Sequence, residues 1–134
     1  MFSRIAAALS DSPKAQRAVR TVIELAHTCN SELATVSILE DLPAYSSIAI
    51  VVDAGTLNAM KEDRRRAHGE LHKKASLLAH EHRVRSKGSL VEGRKVQAIL
   101  HFLKEDRSDL LVFRLWSSVY ALAQEAPCSV LGVH

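Results

Sequence analysis

Short, almost wholly apolar runs alternate along this chain with longer amphipathic ones, and that alternation leaves few folds open. Arg4 to Leu9 is apolar from Ile5 onward, as a strand covered on both faces in a parallel sheet must be. Ser12-Pro13 follows as an N-cap and a proline at the first helical position. Behind it Ala15, Ala18, Val19, Val22, Leu25 and Ala26 recur at helical spacing, with Asn30 as the stop. Leu33 to Leu39 reads as the second strand. Asp41 to Gly55, with Pro43 and the apolar run Ile48 to Val52, is irregular and long for a simple loop. A second helix is expected from about Thr56 to His82, with Met60, Ala67, Leu71, Ala75 and Leu78 facing inward. Arg83 to Val91 reads as a weaker, polar strand near a sheet edge. Gly93 is expected to open a third helix, with Val96, Ile99, Leu100 and Leu103 on one face. Asp109 to Phe113 is a fourth strand. A short helix with Val119, Leu122, Ala123 and Ala126 ends at Pro127, before a last strand from Cys128 to Val133. Such alternation with short connections predicts a three-layer, doubly wound α/β domain with a parallel, Rossmann-like sheet. Ligands in such sheets bind beyond the carboxyl ends of the strands, at the switch point.

The 134 residues fit one domain, 1–134. Apolar residues at 47% and charged ones at 25% exclude a disordered chain. Apolar runs such as Ile48 to Val52 and Leu110 to Phe113 are too short for a membrane helix, so no membrane insertion is expected. Met1-Phe2-Ser3-Arg4 does not open like a signal peptide. Cys29 and Cys128, far apart in sequence, form neither a metal pair nor a disulfide framework, which makes a cytoplasmic location the expectation. Of the formal +3 charge, the segment Lys61 to Lys87 carries the excess, with nine basic residues against four acidic ones. None of the six aromatic residues falls within it, so a stacking surface for nucleic acid is not expected.

Four phrases in order carry a family resemblance. The chain opens Arg4-Ile5-Ala6-Ala7-Ala8-Leu9-Ser10-Asp11-Ser12, continues with Val91-Glu92-Gly93 through Ile99-Leu100, then Asp109-Leu110-Leu111-Val112-Phe113, and ends Ala126-Pro127-Cys128-Ser129-Val130-Leu131-Gly132-Val133. Over nearly its whole length it resembles the universal stress protein family. Alternation and resemblance together predict the strand order 3-2-1-4-5. Nucleotide-binding members follow the fourth strand with G-x-x-G, nine residues, then G-S or G-T, so that backbone N–H groups wrap the phosphates. Here Phe113 is followed by Arg114-Leu115-Trp116 and Ser117-Ser118. That loop is about ten residues shorter than the family pattern and lacks both cradling glycines. At the other lip the family's aspartate aligns with Ser10, and Asp11 takes the glycine position. The resemblance thus implies the fold and undercuts the ATP site. What remains of a nucleotide pocket is Ser10, Asp11, Ser12, Ile38, Gly93, Ser117 and Ser118, with backbone near Ile38 reading the adenine, as the resemblance implies. No cofactor is expected; the alternative is ATP or another adenine nucleotide.

Other candidates weigh less. Ser10-Asp11-Ser12 lacks the glycines of a pyrophosphate loop and reads as a capping turn. His68 and His72 share a helix face at a spacing zinc sites use, but no acid or cysteine completes them, and His80 turns well away from the pair. A solvated basic flank is the expectation there. Arg64-Arg65-Arg66 with Lys73 and Lys74 reads either as a solvated face or as a surface, Lys61 to Lys74, for an acidic protein partner, an anionic lipid surface or nucleic acid. Cys128 reads as a buried structural thiol. Trp116 reads as a plug for the space the short loop vacates, or as the wall of a pocket for another ligand. No catalytic motif occurs.

The expected function is therefore a non-catalytic stress-response or regulatory protein, a homodimer acting through protein contacts. The alternatives are a nucleotide-dependent switch or slow ATPase, and a regulatory domain for a membrane transporter. The dimer is expected through the last strand. Val130, Leu131 and Val133 are apolar there, no lysine or interior proline blunts the edge, and Gly132 is the weak point. Cys128 begins that strand.

Overall fold

A computed structural model describes residues 2–10, 13–40, 54–114 and 119–133. The elements run β1 (Arg4–Ala8), α1 (Pro13–Cys29), β2 (Glu32–Glu40), α2 (Ala54–Glu81), β3 (Ser86–Gly93), α3 (Lys95–Asp106), β4 (Leu110–Arg114), α4 (Val119–Glu125) and β5 (Ser129–Val133). The five strands form one parallel sheet in the order β3-β2-β1-β4-β5, as the sequence predicts. The order reverses between β1 and β4, whose rungs pair Ile5 with Leu110 and Ala7 with Val112. Each face of the sheet carries one core. On one, Ile5, Ala7, Leu33 and Val112 meet Val22, Ile23 and Ala26 of α1 and Ala79 of α2. On the other, Ala6, Val36, Leu111 and Phe113 meet Ile99, Phe102 and Leu103 of α3 and Leu122 of α4. Adjacent residues of a strand point to opposite faces, so a continuous apolar run such as Ile5-Ala6-Ala7 serves both cores.

α1, α2 and α3 all stop the same way without glycine. Asn30, Arg83 and Arg107 take left-handed backbone with φ of 55, 58 and 56°. The next amide folds back in each case: Ser31 N–H donates to Ala26 O, Val84 N–H to Ala79 O, and Ser108 N–H to Leu103 O, the bond that closes a helix C-terminus. Only the asparagine carried a sequence signal, because arginine has no preference for that conformation.

Several boundaries and faces are corrected. Gly93 does not open α3: it closes β3 at φ 133°, and Arg94 is the N-cap of a helix that starts at Lys95. β3 begins at Ser86, after the Arg83 turn. Met60 and Ala67 are exposed and do not face inward. The 28 residues of α2 span about 42 Å at ~1.5 Å per residue, against about 26 Å for the eight residues of β3. The N-terminal part of the helix outruns the sheet it packs on.

Opposite the switch point, the start of β1 is tied to the start of β4. Asp109 accepts from Ser3 N–H at 2.8 Å, Ser3 Oγ–H at 3.0 Å and Arg4 N–H at 3.1 Å. Arg4 also bonds Asp106 at 2.7 Å and Glu32 at 3.1 Å. Burial alone would push the Asp109 carboxyl up; the Ser3 and Arg4 donors outweigh it and hold it below its ordinary 3.8. A depressed carboxyl contributes stability above its unfolded value and loses it as pH falls through the lower folded value. Asp109→Ala is expected to cost about 1 kcal/mol, toward the low end for charge-assisted bonds because solvent screens the carboxylate. Urea unfolding near neutral pH checks it, and the deficit should vanish in strong acid.

Candidate functional site

The carboxyl ends of the strands present the residues expected at a nucleotide pocket. Ser10 stands two residues past the Ala8–Val36 rung, half-buried, after Leu9 N–H has bonded Val36 O at 2.8 Å. Ile38 pairs with Val91 and packs on the α3-side core. Gly93 pairs with Glu40 at the end of β3. Its φ of 133° requires glycine, because an L side chain there would be strained. Asp11, Ser12, Trp116, Ser117 and Ser118 lie outside the described residues. Among the described residues a cleft of about 190 Å3 opens between α1 and α2 beside Ser10, floored by Leu9, Ala15, Leu71 and Ala75 and rimmed by Arg20 and Lys74.

A buried polar arrangement lies deeper, beneath α2, and corrects the solvated reading of His72. β2 sends Leu33, Thr35, Ser37 and Leu39 to the α1–α2 side of the sheet, and the middle two are polar although only 2% and 0% exposed. Buried hydroxyls need partners, and His72 supplies both. Thr35 Oγ1 lies 2.9 Å from its Nδ1, and Ser37 Oγ lies 2.7 Å from its Nε2. Thr35 Oγ1 is also 3.5 Å from Lys87 O. That network assigns the ring proton to Nδ1, which donates to Thr35, while Nε2 accepts from the Ser37 hydroxyl. Burial pushes the His72 imidazolium toward deprotonation, and the charge of His68 acts the same way.

β3 makes room for the ring with Gly88, which pairs with Thr35. A Cβ at that position would stand 2.8 Å from His72 Nδ1 and 3.1 Å from Cγ. Two signals in the sequence mark this site. His68 and His72 extend the inward stripe of Leu71, Ala75, Leu78 and Ala79 at helical spacing, and Thr35 and Ser37 interrupt an otherwise apolar strand at alternate positions.

The basic helix is less free than its composition suggests. Arg65 pairs with Glu92 and Glu62, Arg66 with Asp63, and Arg64 donates to Glu40 O. No group of three or more metal-ligating side chains exists among the described residues, His68 and His72 included. Cys29 and Cys128 are not joined in a disulfide. Burial pushes the half-buried Cys128 thiol up, and Asp109 adds to the shift, which suits an unreactive thiol. No helix among the described residues is long and apolar enough to cross a membrane.

Comparison with known proteins places this geometry. Universal stress protein UspA from Lactobacillus plantarum superposes with a TM-score of 0.84 at 14% identity, covering 99% of this chain and 98% of that one. A universal stress family protein from Burkholderia pseudomallei superposes at 0.76 with 24% identity, covering 98% and 96%. A family protein from Arabidopsis thaliana, solved with AMP bound, superposes at 0.74 with 16% identity, covering 98% and 90%. No curated protein gave a match. The sequence profile of the universal stress protein family matches residues 1–115. Fold, strand order and sequence agree: the chain belongs to the universal stress protein family.

Proposed function

We propose that this protein is a non-catalytic regulator, one domain over residues 1–134 and cytoplasmic, which acts as a homodimer through protein contacts. Its adenine-nucleotide pocket has lost the phosphate cradle. One observation carries the reading: β4 ends at Arg114 and α4 begins at Val119. Four connecting residues, none of them glycine, have no room for the two glycine turns and the long spacer that wrap phosphates in the family's nucleotide binders. Ser10 in place of an aspartate at the end of β1 supports the same view. Of the α2 cations, Lys73 and Lys74 are exposed and have no ion pair among the described residues; they are the natural contacts for an acidic partner.

The second reading, an adenine-nucleotide switch or slow ATPase, draws support from the Arabidopsis relative solved with AMP. On that reading Ser10, Asp11, Ser12, Ile38, Gly93, Ser117 and Ser118 would line the residual pocket, and no phosphate cradle would be needed for a monophosphate.

β5 carries the assembly. It is an edge strand, and an unprotected edge invites pairing with a second copy, closed at two by symmetry. Val130 and Val133 pack against the two cores, whereas Leu131 is 40% exposed. Leu131 is therefore the position where a charge strikes the interface and spares the fold. Native mass spectrometry is expected to find a dimer carrying no nucleotide, and Leu131→Lys is expected to give a folded monomer. A wild-type monomer, or a Leu131→Lys dimer, would place the interface elsewhere. A co-purified nucleotide would favour the second reading.

A further inference from the structure

We propose that His72 is a proton-operated clasp that holds α2 on the β2–β3 edge of the sheet, locked when the ring is neutral and released when it is protonated. The apolar hold on this helix is lighter than on its neighbours, with half-buried Leu78 added to its small buried side chains. Among the described residues the buried side chains of α2 are Ala75 and Ala79, whereas α1 buries Val22 and Ile23 and α3 buries Ile99, Phe102 and Leu103. The hydrogen bonds of His72 to Thr35 and Ser37 anchor the helix over the middle of β2, while the exposed Arg64 reaches Glu40 O at the end of the strand. In the neutral ring both nitrogens are matched to a hydroxyl. Protonation places a donor on Nε2, so the Ser37 hydroxyl loses its acceptor, and a charge is left in a half-buried site.

Among the described residues no free carboxylate faces the ring to compensate. β2 faces the ring with Leu33, Thr35, Ser37 and Leu39, none of which titrates near neutrality. β3 faces α2 with Ser86, Gly88, Leu90 and Glu92, and Glu92 is engaged by Arg65. On α2 itself, His68 lies one turn back and opposes the imidazolium. From α1, Arg20 shares a cleft wall with Lys74, and neither is an acid. A histidine kept neutral by the fold stabilises it fully above the unfolded value of 6.5. That contribution is lost as pH falls from there through the lower folded value, because the open state binds the extra proton. Mild acidification is thus expected to loosen α2 while α1 and α3 stay packed.

Hydrogen exchange on the whole chain from about pH 7.5 to about pH 5 tests the clasp, with α1 amides as the internal reference for intrinsic rates. Within the window between the two values, α2 opening relative to α1 is expected to rise about tenfold per pH unit, the slope for one proton. His72→Gln should flatten that slope, and His68→Gln should keep it while moving the His72 midpoint up. A direct NMR titration of the His72 ring in the wild-type protein decides the matter even if a variant fails to fold. An α2-to-α1 ratio independent of pH, a slope that survives His72→Gln, or a His72 midpoint at or above 6.5 would overturn the proposal.

Discussion

Gly88→Ala is expected to be strongly destabilising for a change of one methyl group on an exposed strand residue. Strand propensity favours alanine over glycine by less than about 1 kcal/mol. Against that, the added Cβ would stand 2.8 Å from His72 Nδ1 and 3.3 Å from its Cβ. The contact involves the base of the side chain, so rotation alone cannot relieve it and the helix must move. Moving it breaks both ring hydrogen bonds and strands the Thr35 and Ser37 hydroxyls, which have almost no access to water. Each stranded group costs roughly 1–3 kcal/mol, so a net loss of about 2–4 kcal/mol is expected, or a fall in Tm of about 6–15 °C for a chain of this size. A double-mutant cycle isolates the cause. His72→Ala is damaging alone, but with the ring gone Gly88→Ala should cost almost nothing further, giving a coupling of about 2 kcal/mol or more. Equal costs for Gly88→Ala with and without His72 would mean that glycine is there for another reason.

The same residues show how far the sequence could be read. Both core faces were legible because apolar periodicity reports burial directly: Ile5, Val22, Ile99 and Leu111 are all buried; the strand order needed the family resemblance beside the alternation of elements. Helix ends were legible only where composition marks them. Asn30 announced itself, whereas Arg83 and Arg107 reach the same backbone conformation through tertiary contacts that no local rule encodes. Met60 was misread because a helical stripe says which side of a helix is apolar and not how far the sheet beneath it extends. The His72 site was missed for a deeper reason. Burial of a polar residue is decided by its partners, and Thr35, Ser37, His72 and Gly88 come together only once β2, α2 and β3 are packed.

The nucleotide pocket is legible through departures from a family pattern rather than through periodicity. The resemblance supplies a pattern, and its departures at Ser10 and after Phe113 carry the inference. Each backbone donor in a phosphate cradle is a charge-assisted bond contributing roughly 1.5–3 kcal/mol. Loss of even three such bonds weakens affinity by about three orders of magnitude or more, at about 1.4 kcal/mol per decade. Adenine recognition by backbone near Ile38 would be spared, so the loss should fall on the phosphates and remove any preference for ATP over AMP. Titration calorimetry with Mg-ATP and with AMP tests this most directly. The expected result is no binding of either nucleotide below the high-micromolar range and no advantage for ATP. A low-micromolar Kd for Mg-ATP, well below that for AMP, would contradict the loss of the cradle and make the protein a nucleotide-dependent switch.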